Sequence, residues 1–157
     1  MRRLIAALLS MVALALLGLI FLAPRGEARG QIQRKHTCSA TDRQFIETTK
    51  LNMTILGYWS QSLVGGDAEP SQVVSQARSV TRQIHVTSPT DPSLQQAKVV
   101  LEAMLVEYTA AVQAEIRGRS AGKHMMKAYG LANSAHDILT DAQPQLTALG
   151  CEVAPLL

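Results

Sequence analysis

Two hydrophobic patterns divide the chain. From Leu4 to Leu22 the sequence reads LIAALLSMVALALLGLIFL, in which 17 of 19 positions are apolar and none is charged. Beyond residue 36, apolar positions recur at spacings of three and four, the period of an amphipathic helix, and strand-like alternation is almost absent. Proline and glycine divide this second part at Gly65-Gly66, Pro70, Pro89, Pro92, Gly118, Gly122 and Gly150, which predicts four helices. Segment A covers about residues 41–64. It opens on a Thr41/Gln44 capping box, and its face carries Phe45, Thr49, Asn52, Leu56, Trp59 and Leu63, widened by Ile46 and Met53. Segment B, about 70–86, starts on Pro70 and has a stripe of Val73, Ala77, Val80 and Ile84. Segment C, about 92–117, is capped by Asp91 and opened by Pro92, with a seam of Leu94, Ala97, Leu101, Met104, Tyr108 and Ala111.

Segment D, about 121–149, has the most regular pattern. Met125, Ala132, Leu139 and Leu146 lie seven apart, with Ala128, Ala135, Ala142 and Leu149 at the intervening seam positions. Alanine at alternate seam positions allows a neighbouring helix to approach closely. Pro144 falls on the opposite face and predicts a kink or an early end to the helix. Short connections make consecutive helices antiparallel neighbours. The expected fold is all-α: an up-down-up-down four-helix bundle preceded by a single hydrophobic N-terminal helix. Three helices with an extended fourth segment is the lesser alternative, because segment B is the shortest and most polar.

The Leu4–Leu22 run has two physical readings. Roughly 20 apolar residues in a helix span a bilayer core of about 30 Å, so the run can serve as an uncleaved signal-anchor. Arg2-Arg3 followed by an apolar stretch, with Gly26-Glu27-Ala28 as a small-residue cleavage site, can also be a signal peptide. The length favours the anchor. Residues 1–23 are thus a signal peptide or transmembrane anchor, 24–37 a basic flexible linker, 38–151 the helical bundle and 152–157 a tail. Orientation is contested within the sequence. Arg25, Arg29, Arg34 and Lys35 after the run outnumber Arg2 and Arg3 before it, which by the positive-inside rule favours a cytoplasmic C-terminus. The short N-tail and the cysteines favour the opposite, N-inside and C-outside.

Charge changes the picture once it is located. The chain carries 15 Lys+Arg and 12 Asp+Glu, a net +3 that first suggests a nucleic-acid binder. Six of the basic residues and one acid lie in residues 1–35, giving +5, whereas residues 36–157 hold nine basic and eleven acidic residues, giving −2. The excess belongs to the N-terminal arm, and the remaining domain has no basic face long enough to follow a phosphate backbone. Nucleic acid is excluded as an expected partner.

The chain has two cysteines. Cys38 precedes segment A and Cys151 follows segment D, and in an up-down bundle those two points emerge at the same end. A bond between them closes a long loop and requires an oxidising compartment. The pair therefore predicts a disulfide and a periplasmic, cell-surface or secreted location.

Candidate chemistry is sparse. Gly118-Arg-Ser-Ala-Gly122-Lys123 fails the phosphate-loop pattern in spacing, in the residue after lysine and in following a helix rather than a strand. Arg117, Arg119, Lys123 and Lys127 could still hold an anion at the start of segment D, unless the acidic A–B loop (Asp67, Glu69) neutralises them. Asn52, Met53, Met104 and His136 fall at similar heights and form a candidate haem or metal layer. Against this, only 4% of residues are aromatic, no haem-attachment motif occurs and His136 flanks the seam. No cofactor and no metal site is expected. His124 and His136 are about 18 Å apart along one helix, and a bonded Cys38 removes the thiol beside His36. Asn52-Met53-Thr54 fits the N-glycosylation pattern, but Asn52 sits on the core face. No nucleophile–base–orienter set is evident, and Glu115 is the one possible inward carboxylate, near the bundle end and either exposed or paired with Lys123. The sequence thus predicts a non-enzymatic extracytoplasmic binding module with an unidentified protein or small-ligand partner. A redox bundle built on the Met/His layer and a structural spacer are the alternatives.

Overall fold

A computed structural model describes residues 37–157. Among these residues the chain is all-helical, with α1 at Ala40–Gly65, α2 at Pro70–His85, α3 at Pro92–Ile116 and α4 at Gly122–Ala148. A short 3₁₀ turn follows at Ala154–Leu156. The four expected segments are present, each boundary within one residue of the expected one. The apolar run from Leu4 to Leu22 and the basic stretch after it lie outside the described residues. No helix within residues 37–157 is long and apolar enough to cross a membrane.

The boundaries follow from local chemistry. Pro92 opens α3 behind Asp91, whose carboxylate accepts from the backbone N–H groups of Ser93 (2.8 Å) and Leu94 (3.2 Å). Pro70 opens α2, where the Gln72 side chain reaches back to the Glu69 N–H at 2.9 Å. Two expectations need correction. α1 is capped by Ser39, not Thr41: the Ser39 hydroxyl accepts from the Asp42 N–H at 3.0 Å. Pro144 does not end the last helix, which runs through it to Ala148. Its missing N–H lies on the exposed face, so losing one bond there leaves the buried seam untouched. Gly66 and Gly118 stop α1 and α3 at φ of 84° and 65°, a region open to glycine without steric cost.

Consecutive helices pack against one another, α3 and α4 most extensively. Their seam is the alanine-rich one read from the sequence: Ala128, Ala135 and Ala142 are buried on α4 beside Met125, Leu139 and Leu146. Leu94, Ala97, Leu101, Met104, Tyr108 and Ala111 are buried on α3. α1 contributes Phe45, Ile46 and Leu56, and α2 contributes Val73, Val74, Ala77, Val80 and Ile84. The C-terminal tail joins this packing through fully buried Val153.

One end of the molecule is tied by three sets of contacts. Cys38 and Cys151 form a disulfide with 4.9 Å between their Cα atoms, and the Cys38 N–H donates to the Leu149 carbonyl at 2.6 Å. Asp42, 5% exposed, accepts from the backbone N–H groups of Thr90 (2.6 Å) and Asp91 (3.0 Å) and from the hydroxyls of Thr90 (2.8 Å) and Ser39 (2.6 Å). Burial alone raises the pKa of this carboxyl. The bonds from Ser39, the Asp91 backbone and Thr90 outweigh burial and hold it below the ordinary carboxylate value. Lys98 of α3 donates to the carbonyls of His85 (2.8 Å) and Thr87 (2.5 Å), closing the C-terminus of α2. The starts of α1 and α3 and the ends of α2 and α4 thus gather around the disulfide.

Candidate functional site

The four residues of the mid-height layer occupy different environments. Asn52 is 1% exposed and Met104 5%, both in the core, whereas Met53 and His136 are half-buried. The Asn52 amide donates to the Thr48 carbonyl (2.8 Å) and to the Gln83 side chain (3.2 Å). That pairing joins α1 to α2, and the buried carboxamide is closed to glycosylation. His136 Nε2 lies 3.5 Å from the Thr140 hydroxyl on its own helix. Thr49 Oγ1, Asn52 Oδ1 and His136 Nδ1 are buried atoms with no hydrogen-bond partner among the described residues. Two turns further along α1, Ser60 donates to the Leu56 carbonyl at 2.8 Å and lies 2.6 Å from the Tyr108 hydroxyl. Because the Ser60 proton is committed to Leu56, Tyr108 is the donor in this pair. Burial raises the Tyr108 pKa against the lowering effect of Ser60. These contacts fix the relative register of α1, α2 and α3.

The basic cluster lies at the α3–α4 turn. An open cavity of about 200 Å³ is lined there by Gln113, Arg117, Arg119, Ser120 and His124, with Ala110 and Ala114 completing its wall. No carboxylate lines it. The four candidate cations separate into two groups. Lys127 Nζ binds Glu107 at 2.5 Å, and His124 Nδ1 binds the other oxygen of the same carboxylate at 2.7 Å. These two bonds, His124 first, hold the Glu107 carboxyl below its ordinary pKa. Arg117, Arg119 and Lys123 make no ion pair among the described residues, where Glu102 and Glu107 are the paired acids. The expected neutralisation of the arginines by Asp67 and Glu69 is therefore not made, and Glu115 does not pair with Lys123.

The start of α4 adds donors. Ala121 occupies the cap position and supplies no side-chain hydrogen bond, whereas α1, α2 and α3 all begin with side-chain partners. Met125 N–H returns to the Ala121 carbonyl at 3.0 Å, and the N–H groups of Gly122, Lys123 and His124 precede the first turn's bonding.

The His124–Glu107 pair was not visible in the sequence. The residues are 17 apart, and their meeting depends on how α3 and α4 are rotated about their axes. A carboxylate only accepts, so Nδ1 of His124 carries the proton and Nε2 is the other nitrogen. This is the geometry of a base held by an orienting acid. Ser120 lines the same cavity but makes no hydrogen bond to His124, so it is not held as an activated nucleophile for the pair. Among the described residues no three His, Cys, Asp or Glu side chains cluster as metal ligands. The chain matches no known protein family, no characterised protein and no solved structure.

Proposed function

We propose that this protein is a non-enzymatic extracytoplasmic binding module. Its four helices close as an up-down-up-down bundle, held at the outer membrane face by the Leu4–Leu22 segment or released after cleavage there. The observation that carries the reading is the Cys38–Cys151 bridge, which joins the chain immediately before α1 to the chain immediately after α4 across 113 residues. A bond in that position persists where thiols are not continuously reduced. The Leu4–Leu22 run behind Arg2-Arg3 supports the same compartment from the other end of the chain. Chain direction supports the bundle: two helix starts and two helix ends surround the disulfide.

Topology is the direct test. Alkaline phosphatase fused after Leu157 folds only where its own disulfides form. The reading expects an active fusion, with activity lost when residues 1–23 are deleted. An inactive fusion that is nevertheless expressed and stable would place the domain in the cytoplasm and overturn the reading.

A further inference from the structure

We propose that the cavity at the α3–α4 turn is a binding site for a small soluble phosphate-class oxyanion, inorganic phosphate or the phosphate of a monoester. This rests on the reading of the protein as an extracytoplasmic binding module and supplies the ligand class for it.

Three observations converge on one volume. The first is the cavity itself, about 200 Å³, large enough for a phosphate group and part of what bears it, and open to solvent. The second is its charge. Arg117 and Arg119 both line it, neither side chain has a protein hydrogen bond or ion pair among the described residues, and no acid shares the lining. Two guanidinium groups without carboxylate partners offer the planar donor forks that match phosphate oxygens. The third is the neutral donor set. Ser120 and Gln113, whose side chains carry a hydroxyl and an amide, are also in the lining. Glu107 holds His124 at the cavity edge, and Lys127 pairs with the other oxygen of that carboxylate. The uncapped start of α4 adds partial positive charge beside this set, in the sense that favours an anion.

The site's position selects among anion sources. α3 runs 25 residues, about 37 Å at 1.5 Å per residue, from the disulfide end to the cavity. The linker to the apolar N-terminal segment joins at the disulfide end. The cavity thus lies at the end of the molecule remote from where the N-terminal segment attaches, which favours a soluble ligand over the headgroups of the anchoring membrane.

The test is phosphate titration of the full-length protein in neutral detergent micelles, followed by calorimetry and by ³¹P line broadening. Saturable binding is expected, weakened at least tenfold in Arg117→Gln/Arg119→Gln and unchanged in Arg78→Gln, a control on α2. Melting temperatures without phosphate verify that each variant is folded. Absence of saturable binding, equal affinity in the double variant, or an equal loss in the control overturns the proposal. So does binding to phosphatidylglycerol vesicles when phosphate itself gives none. The result is separable from the compartment reading, because a failed titration leaves the Cys38–Cys151 bond and the fusion topology as they were.

Discussion

Asp42 is the polar residue on which the disulfide end most depends, and its removal should be costly. Its carboxylate accepts four hydrogen bonds, two from backbone N–H groups of the α2–α3 connection and two from hydroxyls, while its residue is 5% exposed. Hydrogen bonds to a charged group contribute roughly 1.5–3 kcal/mol each, but four sharing one acceptor are not additive. Substitution by alanine strands the Thr90 and Asp91 N–H groups, which water reaches in part. A loss of about 2–4 kcal/mol follows for Asp42→Ala, and about half of it for Asp42→Asn, which keeps one accepting oxygen. For a domain of this size that corresponds to a fall in Tm of roughly 10 °C for the alanine variant. The pH dependence has a defined sign. The folded carboxyl titrates below its unfolded value, so its stabilisation is complete above an unfolded pKa of about 3.9. It declines as pH falls through the interval between the unfolded and folded values, and is absent below the folded one. Calorimetric melts of the parent and Asp42→Ala from pH 7 to pH 2.5 should show a gap that narrows toward the acid end. Equal Tm values at pH 7, or a gap that stays constant to pH 2.5, would refute the role assigned to this carboxylate.

Three further outcomes follow. Tyr108→Phe keeps the ring but leaves buried Ser60 without its donor, so its urea unfolding midpoint should fall by an amount equivalent to about 1 kcal/mol; an unchanged midpoint would contradict the assignment of Tyr108 as donor. Ala135→Leu, at a position 2% exposed on the closely packed α4 seam, should destabilise by about 1–3 kcal/mol through overpacking, and a neutral or stabilising effect in thermal melts would mean the seam has spare room. Replacing both cysteines by serine should cost up to about 4–5 kcal/mol by loop-closure entropy while far-UV circular dichroism stays helical. A melting temperature indifferent to the bridge would show that the reduced chain ends are already held together by packing.

Much of the architecture was legible because its signals are local. Pro70, Pro92 and Asp91 sit where proline and a carboxylate favour a helix start, and heptad-spaced Met125, Leu139 and Leu146 mark a buried seam without reference to the rest of the chain. Ser39 was missed because Thr41 with Gln44 matches the common capping-box pattern, while Ser39 uses the Asp42 N–H and an acid at the third position. Pro144 misled because its cost depends on which face loses the bond, and the exposed face tolerates it. The candidate site was half legible. Arg117 and Arg119 could be named, but the pairing of His124 and Lys127 with Glu107 depends on the rotation of two helices about their axes. The absence of an Asp67 or Glu69 partner depends on where side chains point across two turns. Neither is encoded in spacing.

A disulfide-closed domain in an oxidising compartment has a direct signature in the state of its two thiols. Trapping of free thiols with a mass-adding maleimide in intact cells, quenched with acid before lysis, tests for it most directly. The full-length protein should gain no label until reductant is added and then gain two, at Cys38 and Cys151. Two labels without reductant would contradict this, because the bond between the first and last helices would then be absent where the protein resides.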